Sequence, residues 1–87
     1  MKVVALKDIT RKDLTIHYRR EFTGSAVFEC LDKKMREKRL EFVLEHSPTG
    51  SVEVRVNFID EIEYPLLPII KSLKLYISDL DRKGQLP

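Results

Sequence analysis

Apolar and polar residues alternate along much of the first two thirds of the chain, and beyond Pro65 the spacing changes. The clearest alternation lies in two neighbouring stretches. Leu40, Phe42 and Leu44 alternate with Glu41, Val43 and Glu45. Val52, Val54, Val56 and Phe58 alternate with Glu53, Arg55 and Asn57. A period of two places each set on one face of a strand. Between them stands Ser47-Pro48-Thr49-Gly50-Ser51. Pro48 suits the second position of a type I turn, and Gly50 suits the left-handed residue that follows. The pattern predicts a hairpin whose tight loop is closed by Ser47 opposite Ser51.

The earlier segments are less sharply marked. Residues 2–9 read as a strand or an ordered arm. Residues 10–13 read as a turn with Thr10 as a local cap. Leu14, Ile16 and Tyr18 alternate with Thr15, His17 and Arg19, a strand pattern. Residues 21–24 read as a turn. Ala26, Phe28 and Cys30 alternate with Val27, Glu29 and Leu31 as a further strand, and residues 32–37 form a charged loop.

From Pro65 the period becomes helical. Leu66, Ile69, Ile70, Leu73, Ile77 and Leu80 share a stripe, while Lys71, Lys74, Ser78 and Asp81 fall elsewhere. Pro65 or Pro68 fits the first turn, where a missing N–H costs nothing. Asp60, Glu61 and Glu63 complement the positive helix end, and Arg82, Lys83 and Gly84 mark the stop. The order predicts an α+β fold: an antiparallel meander sheet of four to five strands, with one long C-terminal amphipathic helix packed on one face. Residues 1–87 make one domain. The helix covers a face built from Tyr18, Phe28, Phe42, Leu44, Val54 and Val56.

The loop closure also predicts register. Leu44 opposes Val54 and Phe42 opposes Val56. On the other face Glu45 opposes Glu53 and Val43 opposes Arg55. Setting Phe28 opposite Phe42 further places Val27 opposite Val43 and Glu29 opposite Glu41. The open face then carries Glu29, Glu41, Glu45 and Glu53, with His17, Arg19 and Arg55 among them. Directly opposed like charges weaken a sheet, and basic groups from a neighbouring strand or a second subunit would relieve them. Val27 and Val43 form an apolar spot that residues 3–6 or another chain would cover.

Composition narrows the setting. The chain is 43% hydrophobic and 34% charged, which is globular rather than disordered. Its 87 residues bury a modest core, and dimerisation is a common remedy for the resulting marginal stability. A net charge of +2 is too small to imply nucleic acid or a membrane surface. One cysteine excludes an intrachain disulfide and points to the reducing cytoplasm. The apolar residues 3–6 are too few for a signal-peptide core, and the longest apolar run, residues 65–70, is far below a membrane span.

Candidate chemistry is sparse. Five of the seven residues 33–39 are cationic: Lys33, Lys34, Arg36, Lys38 and Arg39. They suit phosphate contacts, although such runs ordinarily solvate a surface. His17 and His46 lie on different strands, and no His, Cys or carboxylate group has metal-ligand spacing. Cys30 falls on the buried face with no base beside it in sequence. Thr23-Gly24-Ser25 and Thr49-Gly50-Ser51 read as hairpin turns rather than phosphate loops. Tyr64, Leu67, Leu75 and Tyr76 flank the helix stripe and would mark a dimer contact wherever they are exposed.

Strands followed by one helix are similar in order to small single-strand nucleic-acid-binding domains, many of which dimerise through the helix; no motif is shared. That resemblance implies a basic sheet with exposed aromatics. Here the phenylalanines read as inward or turn residues and the open sheet is rich in glutamate. The expected function is a small non-enzymatic protein-interaction or structural module that self-associates as a homodimer, with Val27, Val43 and Tyr76 at the contact. The alternative is weak single-stranded nucleic-acid binding through Lys33, Lys34, Arg36, Lys38 and Arg39. No cofactor, metal, membrane or small-molecule ligand is expected.

Overall fold

A computed structural model describes residues 2–12, 18–63 and 65–87. Four strands precede one helix: β1 (Lys2–Arg11), β2 (Arg19–Glu29), β3 (Met35–His46), β4 (Val52–Phe58) and α1 (Leu66–Arg82). The strands form an antiparallel meander in the order β1-β2-β3-β4, with α1 packed against it, so the fold is α+β. The expected strand around Leu14 and Ile16, and His17 with it, lies outside the described residues.

The β3–β4 hairpin follows its turn chemistry. The Ser47 N–H donates to the Ser51 carbonyl at 2.8 Å and the Gly50 N–H to the Ser47 carbonyl at 3.0 Å. Gly50 has φ +91°, the left-handed conformation glycine reaches without a Cβ clash. Leu44 opposes Val54, Phe42 opposes Val56, Glu45 opposes Glu53 and Val43 opposes Arg55.

The β2–β3 pairing differs from the expectation. Phe22, not Phe28, opposes Phe42, and Phe28 opposes Arg36. Val27 opposes Glu37, Val43 opposes Glu21, and Glu29 opposes Met35. Two segments account for this. Residues 21–24 are not a turn but the middle of β2, and residues 35–37 belong to β3 rather than to a loop. The connection is a short turn in which the Cys30 N–H donates to the Lys34 carbonyl and the Lys33 N–H to the Cys30 carbonyl, both at 2.9 Å. This is the hydrogen-bond scheme of the β3–β4 loop, with Lys33 at φ +64° in place of a glycine. Asp32 supports it by accepting from the Lys34 N–H at 3.0 Å.

Gly24 is a strand residue because β1 runs close beside it. A Cβ there would lie 3.3 Å from the Lys7 carbonyl oxygen. Glycine inside a strand commonly marks such an approach. β1 is itself a strand through Arg11, so residues 10–13 do not begin a turn at Thr10. Its ladder is interrupted between Val3 and Ala5 and between Lys7 and Thr10, and Asp8 takes φ +54°.

The core lies between the sheet and α1. Phe22, Phe28, Leu40, Phe42 and Leu44 from the strands meet Ile69, Leu73 and Ile77 from the helix. Phe22 and Phe42 stack at 4.9 Å, and Phe28 meets Phe58 edge-on at 6.3 Å. The helix backbone approaches the two edge strands, β1 and β4, and stands off from the central pair. The sheet therefore curls around the helix, because bulky rings and leucines fill the middle. Tyr18 is not part of this face: it sits in the turn before β2 and is 61% exposed.

Candidate functional site

Three surfaces could carry function: the open sheet face, the basic corner, and the flank where α1 meets β4. On the open face opposite charges are joined. Lys7 of β1 and Lys12, just beyond its end, reach across β2 to Glu37 at 2.6 Å and Glu41 at 3.4 Å on β3. Arg19 lies 3.7 Å from Glu21 and 3.6 Å from Glu45, and Arg55 lies 3.5 Å from Glu53. These bridges answer the repulsion of Glu45 against Glu53 from within the chain. The hydrogen bond to Glu37 holds the Lys7 ammonium above its usual pKa. Beneath this lattice Ser25, flanked in the ladder by Lys7 and Arg39, is 8% exposed.

The expected Val27/Val43 spot does not form. Both valines are half-buried on the open face, but Val43 stands across from Glu21, six residues along β2 from Val27. At a strand rise near 3.3 Å that separates them by roughly 20 Å. Tyr76 is half-buried on α1 and lies away from both.

The basic run 33–39 is split by the early start of β3. Lys33 and Lys34 are exposed in the turn, while Arg36, Lys38 and Arg39 are strand residues. Arg36 and Lys38 share the face of Phe28 and Ala26, and Arg39 points to the other face. Arg36 lies 3.5 Å from Asp32. Arg39 clasps Asp60, which accepts from the Arg39 backbone N–H at 2.8 Å and from Nη2 at 2.8 Å. Those bonds lower the Asp60 pKa from 3.8 to about 2. Asp60 is therefore a latch between β3 and the segment leaving β4, not a complement to the helix end. The first turn of α1 contains no acidic residue, and Pro65 stands at its N-cap. Among the described residues no cluster of three or more His, Cys, Asp or Glu could hold a metal ion. No described helix is long and apolar enough to cross a membrane.

The third surface is apolar. Leu67, Pro68 and Ile70 with Lys71 and Lys74 line a groove of about 510 Å³. Ile70 also lines a second depression with Val56, Phe58 and Ile62, so the two hollows share that side chain between α1 and β4. Leu67 is 81% exposed and Leu75, on the same outer helix face, is also exposed. At the other end of α1, Arg20 Nη2 donates to Asp81 at 2.9 Å and sits 3.0 Å from His46 Nε2. That contact pins the last helical turn to the sheet. His46 is exposed at the sheet rim, where it ends the helix-side row of β3 after Phe42 and Leu44.

The sequence identified Leu67 and Leu75 as flanking residues but missed β4 as part of a surface. A meander whose last strand has no successor leaves that strand at an edge, and this was the available signal.

A family model, that of the BB-0187 family, matches residues 1–82 of the chain. The chain belongs to this family. No curated protein and no solved structure is a significant match.

Proposed function

We propose that this member of the family is a small non-enzymatic interaction or structural module that self-associates, acting in the cytoplasm. The observation that supports this is the apolar groove of Leu67, Pro68 and Ile70, beside which Ile70 also lines a depression with Val56 and Phe58 of β4. A core drawn from 87 residues is small, and covering this flank with a second chain adds apolar burial that one chain lacks. The single buried thiol, Cys30, accords with a reducing compartment. Light scattering at micromolar concentration tests the reading. The expected mass is twice the 10.2 kDa of one chain. A monomer at every concentration that also captures no protein partner overturns it.

A second reading rests on the basic corner. Lys33 and Lys34 project from the β2–β3 turn, and Lys33 lines a shallow depression with Lys2. Weak binding of single-stranded nucleic acid there would be salt-sensitive and would weaken in Lys34→Glu/Arg36→Glu. It ranks second because the four phenylalanines face the core or the helix side, leaving no phenylalanine stacking platform on the open sheet. An anisotropy titration at low salt that shows no change ends it.

A further inference from the structure

The two sheet edges are not alike. β1 is blunted: its ladder is broken twice and Asp8 takes a left-handed conformation. Such irregularities are a common way to stop an edge from pairing with another chain. β4 has none of this. Its pairing with β3 runs unbroken from Val52 to Phe58, and it contains neither proline nor lysine.

The hydrogen-bond phase of β4 follows from its two ends. Ser47 and Ser51 are a bonded pair at the loop, and the Ile59 N–H donates to the Arg39 carbonyl at 3.0 Å at the other end. Bonded and non-bonded pairs alternate in an antiparallel ladder. Both ends therefore assign the odd-numbered residues of β4 to β3. The peptide groups of Val52, Val54 and Val56 point away from the sheet.

We infer that β4 is the self-association element, pairing antiparallel with β4 of a second copy about a two-fold axis at Val54. This rests on the self-association reading and names the surface. Charge selects the register. With Val54 opposite Val54, Glu53 of each copy stands opposite Arg55 of the other, while Val52 stands opposite Val56. Moving the axis to Arg55 would set two guanidinium groups against each other, which is unfavourable. The Val54 register joins three outward-facing residues per copy through about six backbone hydrogen bonds. The product is one continuous eight-stranded sheet, twice the four of one chain. Both helices then lie on the same side of it, and the Ile70 grooves flank the junction.

Sedimentation equilibrium and oxidative crosslinking test this together. Glu53→Arg or Arg55→Glu alone is expected to weaken dimerisation by about tenfold, and the double reversal to restore it. In a Cys30→Ala background, Glu53→Cys/Arg55→Cys is expected to form a disulfide-linked dimer, because non-bonded antiparallel neighbours suit that bridge. A dimer that ignores the charge reversals and does not crosslink overturns the β4 pairing while leaving self-association standing. A monomeric wild-type chain overturns both. Should a charge variant unfold by circular dichroism, the crosslink decides.

Discussion

Lys33 and Gly50 occupy the same position in two loops of the same hydrogen-bond scheme. Only Gly50 is free of the Cβ clash that a left-handed backbone imposes. Gly50→Ala should therefore lower stability by about 1 kcal/mol, and Lys33→Gly should raise it by up to about 1 kcal/mol. Urea denaturation with unchanged slope checks both. The loop at Gly50 was legible because Pro and Gly announce it. The loop at Lys33 was not, since lysine carries no turn signal and the charged run around it reads as a longer loop. Asp60 is a similar case: its neighbours suggest a helix end, but its partner Arg39 is remote in sequence. Its folded pKa of about 2 lies below the ordinary 3.8, so its contribution is complete above pH 4 and lost as pH falls toward 2. The stability advantage of the wild type over Asp60→Asn should shrink across that window, measured by denaturation at pH 5, 3 and 2.

β2 shows how a strand can hide in a sequence. Thr23-Gly24-Ser25 has the composition of a turn, yet the glycine serves the close passage of β1. Gly24→Val should cost about 1–3 kcal/mol by overpacking, with faster amide exchange along β1 than along β4. Equal exchange in the two strands would place the strain elsewhere. The expected β2–β3 register was six residues from the observed one, with Phe28 rather than Phe22 opposite Phe42. The assignment of faces survived because six is even. A strand displaced by an even number keeps every side chain on its own side, whereas an odd slip would have turned the phenylalanines outward. Pairings lost meaning while inside and outside did not, which is why the Val27/Val43 spot failed and the glutamate face stood.

Sheet and helix depend on each other, since each buries its apolar side only against its partner. Leu73 is fully buried at the middle of α1. Leu73→Ala should destabilise by about 2–5 kcal/mol, enough to unfold much of a small domain. Loss should be concerted, so near-UV and far-UV dichroism should give one melting curve; separate curves would mean that the helix detaches alone. If the chain pairs through β4, folding is linked to association, and the melting temperature should rise with protein concentration in the wild type. In Glu53→Arg that rise should flatten.

Local pattern settled a good deal of this protein: the β3–β4 hairpin, the two faces of the sheet, the α1 stripe and their sum as an α+β fold. Each is written within a few neighbouring residues, as a period, a turn or a cap. The register of β2, the path of β1 beside Gly24, the Arg39–Asp60 latch and the curl of the sheet came only with the tertiary structure. Those depend on which distant groups meet, and the pleat repeats every two residues, so many alignments satisfy the same pattern. Contact between backbones, ring packing and ion pairing choose among them.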